Sequence, residues 1–157
     1  MKYLPVAVNL KYRRTVVVGG GKVALRKIRN FLNAGAFVHV VSPSLDKKVK
    51  DLYKKGKITW TRRDVRKDDI SDAALIVSAT NDEKTNEYVS QLARKKGIPV
   101  NVVDQPKISD FISPAVVRSK KAIIAVYTDG KDPVLSRDIK NFLKEKWDEF
   151  LLFRNRS

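Results

Sequence analysis

Residues Thr15–Ala24 read TVVVGGGKVA: a short β-branched run, three glycines and the opening of an amphipathic segment. The glycines satisfy the pattern G-x-G-x-x-[G/A], with Gly19, Gly21 and Ala24 at its fixed places. This pattern is typical of dinucleotide-binding turns when it follows a strand and opens a helix. The flanking residues meet both conditions, so this segment predicts a nucleotide-binding βαβ unit.

Each fixed position has a physical role in such a turn. Gly19 permits the tight bend, Gly21 lets a pyrophosphate approach the backbone, and the small Ala24 lets the helix pack on the strand. The anion then lies at the positive end of the helix, where backbone N–H groups are free to donate. A glycine turn that binds no ligand is the alternative interpretation.

Downstream, short apolar runs alternate with helical periods, which indicates a parallel sheet built from βαβ units. Three helices are expected to end at Gly35, Gly56 and Gly97, where a left-handed residue commonly terminates a helix. We therefore expect an α/β fold over residues 1–108, a Rossmann-like parallel sheet with helices on both faces. Its strands are predicted at 15–18, 37–41, 58–60, 75–79 and 99–103.

The pattern changes after Pro106. Short apolar runs at 111–112, 115–117 and 122–126 predict strands, with a polar turn at Ser119-Lys120. From Val134 onward a single helix is expected. Residues 109–157 therefore form a small α+β segment, strands plus a C-terminal helix. The apolar face of that helix would carry Leu135, Ile139, Phe142, Leu143 and Phe150.

The second strand ends in Val41-Ser42-Pro43-Ser44, without the acidic residue that usually binds the ribose hydroxyls. A serine is able to hydrogen-bond a ribose, but it also leaves room for a 2′-phosphate. The choice between NAD and NADP therefore stays open at this turn.

Two acids are expected at the carboxyl ends of neighbouring strands, the edge where open α/β sheets bind ligands. Asp104 follows a strand predicted to be central, and Asp82 follows the strand before it. Either carboxylate is a candidate for chemistry, and either is equally able to cap a helix or a turn.

Composition excludes several classes. The chain has no cysteine and one histidine, His39, which falls inside an apolar strand and is interpreted as a satisfied core or interface residue. A conventional transition-metal site is therefore not expected, and neither is a disulfide framework. No apolar run approaches the ~20 residues that span a bilayer, and no secretory signal is visible. These features predict a cytoplasmic protein without a membrane partner.

The net charge is +16, from 33 Lys and Arg against 17 Asp and Glu. Such a charge attracts polyanions, whether nucleic acid, an anionic surface or a small molecule. The basic residues are scattered and are not interleaved with aromatic residues. This distribution favours solvated faces or a polyanionic small molecule over nucleic acid.

Beyond the glycine turn, the sequence resembles the precorrin-2 dehydrogenase/sirohydrochlorin ferrochelatase family, the dehydrogenase part of siroheme synthase. The resemblance covers nearly the whole chain in the family's order. It is carried by Leu4–Val6, Val16–Ala24 with Arg26-Lys27, Asn33–Ala36, Ala79–Asp82, Gly97–Asp104, Asp110–Ala115 and Gly130–Arg137. Family members commonly show a double glycine where this chain has Asp129-Gly130.

The resemblance implies NAD-dependent oxidation of precorrin-2 to sirohydrochlorin by a homodimer that pairs through residues 109–157. Iron insertion, a second activity of some members, is left open. The family's catalytic aspartate corresponds to Asp104. Cofactor contacts correspond to Gly21, Lys22, Val23, Ser42, Pro43 and Ser44, with the turn Thr80, Asn81 and Asp82 lining the same cleft.

Arg118, Lys131 and Arg137 are candidate clamps for the carboxylates of the substrate, or they are ordinary surface charges. A non-catalytic NAD-sensing regulatory module is the alternative function. Such a module needs the glycine turn but neither Asp104 nor the later segment.

Overall fold

The computed structural model describes residues 3–119 and 122–154, which form two compact units. The first unit is Pro5–Phe111. The second contains residues 112–119 and 122–154, together with Tyr3 and Leu4. Lys120, half of the predicted polar turn, lies outside the described residues.

The first unit is built on a five-stranded parallel sheet of order β3-β2-β1-β4-β5. The chain moves outward from β1 to β3 and then crosses to the other side for β4 and β5. The two directions meet between β1 and β4, the switch point at which such sheets bind ligands. The strands are β1 (Arg14–Val18), β2 (Phe37–Val41), β3 (Thr59–Thr61), β4 (Leu75–Ser78) and β5 (Val100–Val102).

Helices cover both faces of this sheet, as predicted. Alternate residues of β1 point to opposite faces, so that Val17 packs under the first two helices and Val16 and Val18 pack under the third. Ala24 is fully buried against the sheet. The helices are α1 (Lys22–Asn33), α2 (Lys47–Lys54) and α3 (Glu83–Lys95), with short 3₁₀ helices at Lys67–Ile70 and Pro106–Ile108. As predicted, α1, α2 and α3 end beside Gly35, Gly56 and Gly97, respectively.

The prediction that Asp104 follows a central strand was wrong, because β5 is at the edge of the sheet. The segment after it covers that edge. The Ser109 hydroxyl accepts a hydrogen bond from the Val102 N–H at 2.8 Å, and the Asp110 N–H donates to the Val100 carbonyl at 2.8 Å. β5 is consequently as buried as an interior strand.

The second unit pairs two antiparallel strands, β6 (Ala115–Arg118) and β7 (Ile123–Val126), under helix α4 (Pro133–Glu145). The strand predicted at 111–112 is absent, because the Phe111 carbonyl accepts the Asn101 side-chain amide at 3.0 Å instead of a strand neighbour.

The prediction of a single C-terminal helix was also wrong. α4 ends at Glu145 with Lys146 as its C-cap, and a second helix, α5 (Trp147–Arg154), follows. Asp148 and Glu149 occupy the first turn of α5, where acids favour a new helix start. Phe150 therefore belongs to α5 and not to the α4 face. Across residues 3–119 and 122–154, no helix combines the length and hydropathy needed to cross a bilayer.

Candidate functional site

Two of the three glycines are required by their backbone surroundings. Gly19 has φ +110°, and a Cβ there would collide with the Ala79 carbonyl. A Cβ on Gly20 would collide with the Ser44 carbonyl. The turn therefore lies tightly between the ends of β4 and β2. The fingerprint leaves the Gly20 position free, so sequence reasoning missed this second requirement.

Gly21 is different, because no atom lies within 4 Å of the place that its Cβ would occupy. It is the N-cap of α1, and no side chain caps that helix end. The first N–H groups of α1 are thus left without a side-chain acceptor at an exposed glycine. An uncapped helix start beside open space is a suitable site for an anion.

A cleft of about 650 Å³ opens in front of this turn. It brings together eight of the predicted cofactor-binding residues: Gly19, Gly21, Ser42, Pro43, Ser44, Thr80, Asn81 and Asp82. Lys22 and Val23 are exposed in the first turn of α1 and are not among its lining residues. The remaining lining residues are Val18, Gly20, Val41, Leu45, Asp46, Arg63, Asp64, Val65, Ala79 and Thr85.

The Ser42 side chain organises its own turn. The Ser42 hydroxyl donates to the Ser44 carbonyl at 2.7 Å. The backbone carbonyl of Ser42 accepts a hydrogen bond from the Trp60 indole N–H at 2.9 Å. Ser42 is buried, whereas Pro43 and Ser44 are exposed. The exposed Ser44 is consequently the better placed of the two serines to meet a ligand in the cleft.

Asp82 is the N-cap of α3. Its carboxylate accepts from the Lys84 and Thr85 N–H groups at 3.2 and 3.3 Å, and from the Thr85 hydroxyl at 2.5 Å. The Thr85 hydroxyl bond is the main reason that the pKa of Asp82 lies below its usual value. This carboxylate already has a structural role, in agreement with the capping interpretation.

One wall of the cleft, formed by Arg63, Asp64 and Val65, was missed by sequence reasoning. The Arg63 guanidinium binds both Asp69 carboxylate oxygens, at 2.6 and 2.8 Å. This bidentate bond holds the pKa of Asp69 below its usual value and compensates the charge of Arg63. These three residues follow the short strand β3 in a loop without a recognisable motif, so the sequence offers no signal for them.

Asp104 lies in the turn that follows β5, with φ +61° and an exposed side chain. The Val103 N–H donates to the Ser78 carbonyl at 2.9 Å, which places this turn beside the end of β4. Asp104 is not among the residues that line the nucleotide cleft. The Asp104 turn therefore lies beside the end of β4, and the residues that follow β4 line the cleft.

The three candidate clamps all lie in the second unit. The Lys131 ammonium is 3.6 Å from the Asp129 carboxylate, and Arg137 Nε donates to Asp138 at 3.0 Å. Arg118 ends β6 with an exposed side chain. All three remain accessible to a polyanion, although two of them already have a carboxylate neighbour.

His39 is half-buried, and the neighbouring strand satisfies its ring nitrogens. Its two ring nitrogens lie 2.7 and 3.2 Å from the Thr59 and Thr61 hydroxyls of the neighbouring strand. Burial, followed by the Arg14 charge, lowers the pKa of His39. Across the part of the chain that the structure describes, no group of three or more His, Cys, Asp or Glu is placed to hold a metal ion.

Comparisons with known proteins agree with this geometry. Residues 6–115 match a family model described as "Putative NAD(P)-binding". The chain is 45% identical over 145 residues to a siroheme synthase of Nitrosomonas europaea and 42% identical over 147 residues to one of Pseudomonas aeruginosa. These matches cover 92% and 94% of the chain, but only 30% and 31% of the two relatives. The chain thus spans about a third of the siroheme synthases that it matches.

Among solved structures, the chain is similar to SirC, a precorrin-2 dehydrogenase, with a TM-score of 0.80 and 31% identity. That match covers 92% of this chain and 71% of SirC. D-lactate dehydrogenase of Escherichia coli is similar at a TM-score of 0.50 with 12% identity, over 66% of the chain. This second likeness concerns the fold alone.

Proposed function

Because the chain belongs to the NAD(P)-binding family that includes the dehydrogenase part of siroheme synthase, we propose that it oxidises precorrin-2 to sirohydrochlorin with NAD. The observation that carries this proposal is the extent of the SirC likeness. It covers 92% of the chain and therefore includes residues of the second unit. A non-catalytic NAD-sensing module would need the first unit alone.

The glycine turn fits a dinucleotide. The anionic pyrophosphate would lie on the uncapped start of α1, where Gly21 leaves open space. The cleft of about 650 Å³ is within the range of small-molecule sites. Gly19, Gly21, Ser42, Pro43, Ser44, Thr80, Asn81 and Asp82 would line the cofactor, with Lys22 and Val23 at the helix start.

The reaction removes a hydride and a proton from the macrocycle. When bound, NAD supplies the hydride acceptor. Asp104 is the proposed general base, because a carboxylate is able to accept the proton that the macrocycle loses along with the hydride. Its exposed position beside the end of β4 keeps the carboxylate available to a large substrate. The structural role of Asp82 as a helix cap makes it the weaker candidate.

The charge of the cleft favours NAD over NADP. Asp46 and Asp64 line it beside the Ser42–Ser44 turn, and the charge of Arg63 is already compensated by Asp69. A 2′-phosphate would add negative charge at a wall that carries two acids, and like charges in contact oppose binding.

The test of the proposed function compares the two cofactors in the conversion of precorrin-2, followed by the absorbance of sirohydrochlorin. We expect turnover with NAD and a kcat/KM at least about tenfold lower with NADP, which corresponds to about 1.4 kcal/mol. Equal use of both cofactors would overturn the preference. No turnover with either one, together with intact NAD binding, would favour the sensing module.

The positive charge of the chain suits a polycarboxylate substrate. Arg118, Lys131 and Arg137 are proposed to bind carboxylates of precorrin-2. We place the enzyme in the cytoplasm. Its sequence has no cysteine and therefore none of the disulfides that are typical of secreted proteins.

Helix α4 presents a large apolar surface, and we propose that it is covered by a second copy of the chain. Leu135, Ile139 and Phe142 recur at helical spacing and are 48%, 36% and 59% exposed. An exposed apolar patch of this kind marks an interaction site. We predict a homodimer that buries upward of ~2,000 Å² through residues 109–157.

Light scattering at micromolar concentration measures the oligomeric state directly. Phe142→Asp should give a monomer, because it places a charge in the apolar interface. The matched control, Lys144→Asp, changes an exposed charged residue of the same helix and should remain dimeric. A parent protein that is monomeric under these conditions would refute the dimer.

A further inference from the structure

One lysine has an environment unlike the others. Lys27 is 7% exposed, and no other lysine among residues 3–119 and 122–154 is buried. It lies on the face of α1 that packs against the sheet, between Ala24 and Phe31 of the main core. An ammonium is expensive to bury, and a hydrocarbon side chain at this position would avoid that cost. The burial therefore calls for an explanation beyond packing.

A hydrogen bond of Lys27 connects its helix to a distant strand. Its ammonium donates to Asn101 Oδ1 at 3.0 Å, and the Asn101 amide donates to the Phe111 carbonyl at 3.0 Å. Asn101 is buried in the middle of β5, three residues before Asp104. The ammonium thus joins the nucleotide-binding helix to the strand that carries the proposed base.

The charge of the Lys27 ammonium is also sensitive to its surroundings. The pKa of Lys27 is lowered to about 8, first by burial and second by the charge of Arg26 on the same helix, while the Asp104 carboxylate opposes this shift. Asp104 is thus close enough for its charge to be felt at the buried amine. Only the ammonium is buried, since the Asp104 side chain is exposed.

We propose that Lys27 is a positioning residue for the dehydrogenase reaction, whose buried ammonium holds the end of β5 and the Asp104 turn in their catalytic arrangement. The hydrogen bond to Asn101 fixes β5 three residues before the left-handed turn that presents the Asp104 carboxylate. This role rests on the proposed function, in which Asp104 is the base.

The test measures precorrin-2 oxidation as a function of pH in the full chain, with NAD affinity measured separately. In the parent protein, kcat should decline as the pH rises through about 8, when Lys27 loses its charge. Lys27→Met, of similar length but uncharged, should lower kcat by about 10²-fold, the effect of a misplaced catalytic group. It should abolish the decline and leave NAD affinity within about twofold, since the cofactor turn is untouched.

Two further variants separate charge from shape. Lys27→Arg keeps its charge above pH 10 and should retain most of the activity without the alkaline decline. Arg26→Met, the matched control on the exposed side of the same helix, should keep the rate and shift the decline to higher pH, because the Arg26 charge lowers the pKa of Lys27. A Lys27→Met protein with the parent rate and pH profile would overturn the proposal. So would a parallel loss of kcat and NAD affinity, which indicates a role in folding alone.

Unfolding measurements identify the buried amine without reference to activity. The unfolded chain holds this proton up to pH 10.5, whereas the folded chain releases it near pH 8. The free energy of unfolding of the parent should therefore rise between pH 8 and 10. In Lys27→Met that rise should disappear, and its persistence would contradict the buried ammonium. An inactive parent protein would instead refute the proposed function, and with it this catalytic role.

Discussion

Gly21→Asp is expected to abolish NAD binding in a protein that remains folded. The new side chain would stand in the open space before α1, where the pyrophosphate is proposed to lie. Aspartate is a favoured N-cap, so its carboxylate would accept the very N–H groups that an anion needs. Titration calorimetry with NAD measures the loss.

The backbone at Gly21 makes this substitution a clean one. Its φ of −85° suits any residue, and an added N-cap should leave the thermal midpoint unchanged or raise it. Gly21→Asn is the matched control, because it has the same size and capping ability without the charge, and it should weaken binding less. Unchanged NAD affinity in folded Gly21→Asp would show that the turn is not the binding site.

Asp104→Asn is expected to slow sirohydrochlorin formation by about 10²–10⁴, the usual contribution of a positioned general base. Asparagine keeps the size of the side chain but loses the basic lone pair. It also tolerates the left-handed backbone at φ +61°, so the turn should keep its shape. NAD affinity should stay nearly unchanged, because Asp104 does not line the nucleotide cleft.

Asp82→Asn is the matched control for this experiment. It makes the same chemical change at the end of the neighbouring strand, and asparagine is as good an N-cap for α3 as aspartate. Its effect on the rate should be much smaller. If Asp104→Asn oxidises precorrin-2 at close to the parent rate, Asp104 is not the base.

The first unit was predictable because its signals are local. The run Thr15–Val18 and the glycines after it specify a strand, a turn and a helix within ten residues. Helix ends beside Gly35 and Gly97 are marked just as locally. The α/β class, the parallel sheet and the helices on both faces were therefore confirmed by the structure.

Strand order and buried polar contacts depend on residues that are far apart in the chain. β5 looked central because Ser109 and Asp110 cover its free edge through side-chain and backbone bonds that no hydrophobic pattern reveals. The bond between Lys27 and Asn101 spans 74 residues. The sequence did not predict Arg63 in the cleft for the same reason, because only the fold brings the end of β3 near the glycine turn.

The most direct test of the central proposal is to follow NADH and sirohydrochlorin together while the protein acts on precorrin-2 and NAD. A two-electron oxidation by hydride transfer gives one NADH for each sirohydrochlorin. We predict this ratio for the parent protein and neither product above background for Gly21→Asp. Sirohydrochlorin without NADH, or equal rates in the parent and Gly21→Asp, would contradict an NAD-dependent dehydrogenase.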